Sequence, residues 1–133
     1  MMTTTLDKPG TLMPDGSIYA GVSPDTGKPM YTTRKDAPLH GNFYQAAEYA
    51  KNLDTHGRKD WRVPTQPELN VLFANHAAIG GFDTTGSYPA GWYWSSSRIG
   101  DHFDPLAWAQ RFSDGLLHAR NRGHQSAPRC VRG

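Results

Sequence analysis

Only two stretches of this 133-residue chain carry the signature of a helix start; the rest is short β-prone runs divided by 14 glycines and 10 prolines. Asn42 stands three residues before Gln45, and Thr65 three residues before Glu68. That spacing lets each cap side chain accept a backbone amide while the later side chain returns the bond. After the first cap, Phe43, Ala46, Ala47, Ala50 and Leu53 share one face at helical period, with Gly57 as a stop. After the second, Leu69, Leu72, Phe73 and His76 do the same until Gly80 and Gly81, and Pro67 is tolerable in a first turn. Helices are therefore predicted over 42–55 and 65–78.

The remainder predicts strands. Runs at 17–22 and 30–33 flank Ser23-Pro24-Asp25-Thr26-Gly27-Lys28-Pro29, whose order of Pro, Asp and Gly marks the loop of a β-hairpin. Further runs lie at 92–97, 108–112, 116–122 and 128–132, with Ser113-Asp114-Gly115 forming a tight turn between the second and third of these. Residues 1–14, polar and holding Pro9 and Pro14, read as a flexible arm ahead of a single domain over 15–133. Hairpin, two helices and an antiparallel meander make an α+β domain.

Composition closes several alternatives. A chain of this length buries roughly two-thirds of its unfolded surface, enough for one core without staples. The single Cys130 admits no internal disulfide. Four Trp, six Tyr and five Phe argue against disorder despite a mean hydropathy of −0.66. No run approaches the ~18 apolar residues of a membrane span, and the start lacks a basic, then apolar leader. A cytoplasmic or virion-associated protein is therefore expected. The net charge of +2 is too small to suggest nucleic acid as a partner, but its distribution is uneven. No acidic residue follows Asp114, whereas Arg120, Arg122, Arg129 and Arg132 do, with His118 and His124 among them.

Four motifs occur in order: Trp61-Arg62-Val63-Pro64-Thr65-x-x-Glu68-Leu69, Trp92-Tyr93-Trp94-Ser95-Ser96, Trp108-x-x-Arg111-Phe112-Ser113-Asp114-Gly115 and Arg129-Cys130-Val131-Arg132. Together they resemble the Lcl C-terminal domain family, whose namesake is a collagen-like bacterial adhesin. The resemblance implies a C-type-lectin-like fold, two helices packed on a small twisted antiparallel sheet with the chain ends close together. Its relatives include adhesive tips and retroelement-diversified phage or bacterial display proteins that bind through a surface near the C-terminus. The Glu-Pro-Asn or Gln-Pro-Asp calcium signature of sugar-binding lectins is absent from this chain. Formylglycine-generating enzymes of the same broad fold work through paired cysteines, which a chain with one Cys cannot supply. The resemblance therefore implies a binding module and no enzyme.

The aromatic run around Trp92 and Trp94 offers faces for sugars or bases, yet a chain poor in aliphatic residues needs its Trp side chains, Trp61 and Trp108 included, for core. Alternation sends Trp92, Trp94 and Ser96 to one side and Tyr93, Ser95 and Ser97 to the other. The better ligand surface is the basic C-terminal one. His118, Arg120 and Arg122 share a strand face, and guanidinium groups suit sulfate, phosphate or carboxylate. Arg98, His102, Phe103, Asn121 and His124 are placed on the same surface. Its partner is a protein or an anionic glycan; the alternative is a structural component of a virion or larger assembly. Arg111 is assigned a bridge to an internal carboxylate such as Glu68. Asp101, His102 and Asp104 read as loop-forming rather than metal-binding, Cys130 as a small buried residue, and no cofactor is expected.

Overall fold

The computed structural model describes residues 8–38, 40–86, 88, 91–99, 106–121, 123 and 125–133. Both helix starts form as their caps dictate. The Asn42 side chain accepts the Gln45 amide at 2.9 Å and Gln45 accepts the Asn42 amide at 2.8 Å, opening α1 (Phe43–Asn52). Thr65 and Glu68 make the same reciprocal pair at the start of α2 (Gln66–Ala74). Each helix is shorter than its periodicity predicts. Leu53 turns to extended backbone, and Thr55 and Arg58 then close a tight turn with His56 and Gly57 both at positive φ. Past α2, Asn75 leaves the helix and donates its side-chain amide to the Ala20 carbonyl, so a separate turn, α3 (His76–Ile79), follows.

Strands build two three-stranded antiparallel sheets. The first has the order β1 (Ile18–Val22), β2 (Pro29–Thr32), β6 (Val131–Arg132). The second is the meander β3 (Trp92–Arg98), β4 (Leu106–Arg111), β5 (Leu117–Asn121). The last strand thus departs from its expected place: it does not extend the meander. After β5 the chain crosses to the far side of β3, where Ala127 bridges Tyr93, and then joins β2. The backbone of residues 126–131 finds its partners at Gly41, β3 and Arg62, so the local β-propensity is satisfied by distant segments.

The second sheet is the middle layer. One face carries Trp92, Trp94, Ala107 and Ala109, packed with Phe43, Ala46 and Ala50 of α1 and with Trp61 and Cys130. The other presents Tyr93, which joins Leu69 and Leu72 of α2, Phe112, Met30 and Val131. Alanines on β4 leave room for the Trp94 ring, which is fully buried and donates its indole N–H to the Gly41 carbonyl at 2.9 Å. Trp61 and Trp92 are also core, at 4% and 5% exposure, whereas Trp108 is only half-buried. The Ser113–Gly115 turn is tight for a definite reason. Gly115 has φ of 82°, and a Cβ there would stand 2.5 Å from the Phe73 ring. Of the residues read as an arm, 8–14 are described, and these run beside β1, with the Gly10 amide on the Tyr19 carbonyl at 2.8 Å.

Candidate surface site on the second sheet

The expected ligand face forms around β5. The turn before it is fixed by Asp114, which takes the Arg111 guanidinium in two bonds, at 3.0 and 2.6 Å, and the Leu116 amide at 3.1 Å. Arg111, then the Leu116 amide, hold this carboxyl down at about 2. The assigned bridge from Arg111 to Glu68 does not form. Glu68 lies on the opposite side of the molecule's inner layer and is taken by Arg62, at 2.6 and 2.8 Å, while Arg111 finds a carboxylate three residues along its own turn.

Beyond the turn, register sets the neighbours. Ala109 pairs with His118 and Ala107 with Arg120 and with Arg98, so Arg98, Ala107 and Arg120 form one row across the sheet. These side chains share the face of Trp92. The Arg120 guanidinium lies 4.2 Å from the centroid of Trp92 and 5.0 Å from that of Tyr88. Arg111 approaches the same indole at 5.5 Å, and the His118 ring meets it edge-on at 6.0 Å. Arg98, exposed, has its guanidinium 5.9 Å from the Phe43 ring. Asn121 is exposed, and its side-chain oxygen accepts the Gly123 amide. Arg98 on β3 and His118 and Arg120 on β5 therefore share one face of the sheet from its two edges, with His118 and Arg120 joined through Trp92, whereas Asn121 alternates to the other face with Leu117 and Ala119. His102, Phe103, Arg122 and His124 lie outside the described residues, as do Asp101 and Asp104.

Electrostatics separate the cations of this face from most other arginines. Arg58, Arg62, Arg111, Arg129 and Arg132 each pair with a carboxylate. Among the described residues, Arg34, Arg98 and Arg120 have no such partner; Arg34 donates to the Gly16 carbonyl instead, and the buried Nε of Arg120 makes no hydrogen bond. A guanidinium resting on aromatic rings keeps its in-plane donors free for an oxyanion. Sequence reasoning missed Tyr88 and the part of Arg111 in this platform. Both follow from strand register and from a loop path that no local pattern encodes.

The remaining motifs are buried. Arg129, at 0% exposure, donates to the carbonyls of Thr33 (2.6 and 3.2 Å) and Gly80 (3.0 Å) and to Asp36 (3.1 Å). Asp36 in turn accepts the Tyr93 hydroxyl. Burial raises Asp36 from its ordinary value against the pull of Tyr93 and Arg129, and burial beside Asp36 pushes the Tyr93 hydroxyl up. Glu68 is buried too, and burial alone would raise it. Bonds from Arg62, the Ser23 hydroxyl and the Thr65 amide outweigh that and hold it at about 2. Cys130 lines a cavity of about 240 Å³ with Asp36, Tyr49 and His56. Burial pushes its thiol up to about 12, which keeps it protonated and a poor nucleophile. Among the described residues no three His, Cys, Asp or Glu side chains converge as metal ligands, and no helix is long and apolar enough to cross a membrane.

The family model of the Lcl C-terminal domain matches residues 16–132, most of the chain, and the chain belongs to that family. No curated protein matches it.

Proposed function

We propose that this member of the Lcl C-terminal domain family is a binding module without catalytic activity, which takes an anionic partner on the β3–β4–β5 face. Arg120 is its central contact, with His118 beside it on the same face, Arg98 across the sheet on β3 and Asn121 at the end of the strand, and with His102, Phe103, Arg122 and His124 completing the surface by sequence. One observation carries this reading: Arg120 is laid on Trp92 and Tyr88 with an unbonded buried Nε and no carboxylate partner among the described residues. A solubility charge has no need of such support. A guanidinium held in place loses less entropy when an oxyanion arrives.

The α+β layering, with one helix on each face of the second sheet, supports reading the scaffold as C-type-lectin-like and the face as a display surface. Arg120→Ala combined with Arg122→Ala is the test, with heparin-type sulfated oligosaccharides and acidic peptides as probes. Binding should fall at least tenfold while the thermal transition stays. Binding that survives the double change overturns the assignment.

A further inference from the structure

Each sheet of an open fold has two edges, and the described residues of this molecule close three of its four. The β1 edge is covered by residues 10–13, through Gly10 N–H to the Tyr19 carbonyl at 2.8 Å and Tyr19 N–H to the Thr11 carbonyl at 2.9 Å. The β6 edge is covered by Arg62, which exchanges two bonds with Val131 at 2.8 and 2.9 Å. The β3 edge is covered twice. Ala127 exchanges bonds with Trp92 and Trp94 at 2.9 and 3.0 Å, and the Pro64 carbonyl takes the Ser96 amide at 2.8 Å.

β5 is different. The bond from Arg111 N–H to the Leu116 carbonyl fixes the register of the β4–β5 ladder. Bonded pairs alternate in an antiparallel ladder, so the backbones of His118 and Arg120 face β4, and those of Leu117, Ala119 and Asn121 face outward. Among the described residues nothing bonds to that outward row. An open row of amides and carbonyls is a template for another strand.

We infer that β5 receives an extended acidic peptide segment of a partner protein as a fourth strand; this rests on the anionic-partner reading above and specifies its mode. Side chains choose the occupant. On one face the added strand lies beside His118 and Arg120, basic residues without carboxylate partners among the described residues, so it carries Asp or Glu there. On the other it lies beside Leu117, 36% exposed, and Ala119, with the half-buried Trp108 next in the row, so it carries apolar residues there. The fitting segment alternates acidic and apolar residues at period two. A second copy of this chain fits worse, because antiparallel β5 pairing sets like charges opposite one another.

The apolar residues of the guest are the ones whose amides face β5. An octapeptide of alternating Glu and Val is therefore the probe, compared with the same peptide N-methylated at every Val. Titration of the full chain should show at least tenfold weaker binding for the methylated peptide, although its charge is unchanged. Hydrogen exchange should slow at the Leu117, Ala119 and Asn121 amides on binding, and change little at His118 and Arg120, which are already bonded. Ala119→Pro should lower affinity tenfold with its thermal transition kept.

If the methylated peptide binds equally, or those three amides gain no protection, the inference falls. It falls also if sulfated oligosaccharide binds through Arg120 and the peptide does not, or if sedimentation shows β5-dependent dimers; in these cases the anionic-partner reading stands. Loss of that reading has a separate signature, namely that no anionic probe responds to the Arg120 and Arg122 changes.

Discussion

The β3 and β5 edges belong to one sheet and face opposite fates. The segments that close β3 are held by buried ions. Residues 126–130 are anchored by Arg129, with four bonds to Thr33, Gly80 and Asp36, and residues 61–65 by Arg62 clamped on Glu68. The β5 edge has cations of the same kind with no such partners among the described residues. Two of the arginine–carboxylate pairs, Arg129–Asp36 and Arg62–Glu68, thus hold irregular backbone against a strand edge, where unpaired groups would otherwise be buried. The comparison teaches that equal residue types do opposite work: charge with a buried partner closes an edge, and charge without one leaves an edge ready for an outside partner.

The strongest way to break the comparison is at Arg129. Arg129→Met should cost about 3–5 kcal/mol, because it strips the partner from Asp36 and leaves the Thr33 and Gly80 carbonyls without donors. Chemical denaturation should show the loss with an unchanged slope. A shift under about 1 kcal/mol would mean that the segment is held by packing alone.

Next comes the β3 edge itself. Ala127 is fully buried and its amide bonds to the Trp92 carbonyl. Ala127→Pro removes that donor and should destabilise by about 2–4 kcal/mol. Near-ultraviolet dichroism, dominated by the Trp92 and Trp94 environments, would follow the opening.

Glu68 gives the acid limb. Its carboxyl is held at about 2 in the fold against an ordinary value of 4.5. Between those values the unfolded chain takes up the proton more readily than the folded one, so stability falls as pH drops through that window and is fully present above it. The effect is on the order of 2–3 kcal/mol. Asp36, raised by burial, acts in the opposite sense and partly offsets the loss. Glu68→Gln should flatten the acid limb of a stability–pH profile; an unchanged limb would place the sensitivity elsewhere.

How much of this could be read from sequence depends on how local each signal is. Both capping boxes and the Gly115 turn are legible, since the groups concerned lie within a few residues of one another. Trp61, Trp92 and Trp94 are legible as core because so few aliphatic residues compete with them. The pairing of β6 with β2 is not, because Val131 would suit any sheet and its place is set by the crossing at residues 126–130. The partner of Glu68 is likewise invisible locally: Arg62 and Arg111 are both motif arginines, and only the path of residues 61–65 decides between them. The acid-free C-terminus is legible as a charge asymmetry. That Arg120 lies over Trp92 depends on cross-strand register, which the sequence leaves open.

The smallest expected effect is the sharpest. Ala119→Pro makes on β5 the change that Ala127→Pro makes on β3, but the amide it removes faces outward and bonds to nothing described. Proline is tolerated at an edge on this side of the ladder, so the cost should stay below about 1 kcal/mol. The ratio of the two proline costs then measures the difference between the edges directly, since side-chain volume and host are the same. If Ala119→Pro proves as damaging as Ala127→Pro, the β5 edge is already closed by the chain itself, and the contrast between the two edges disappears.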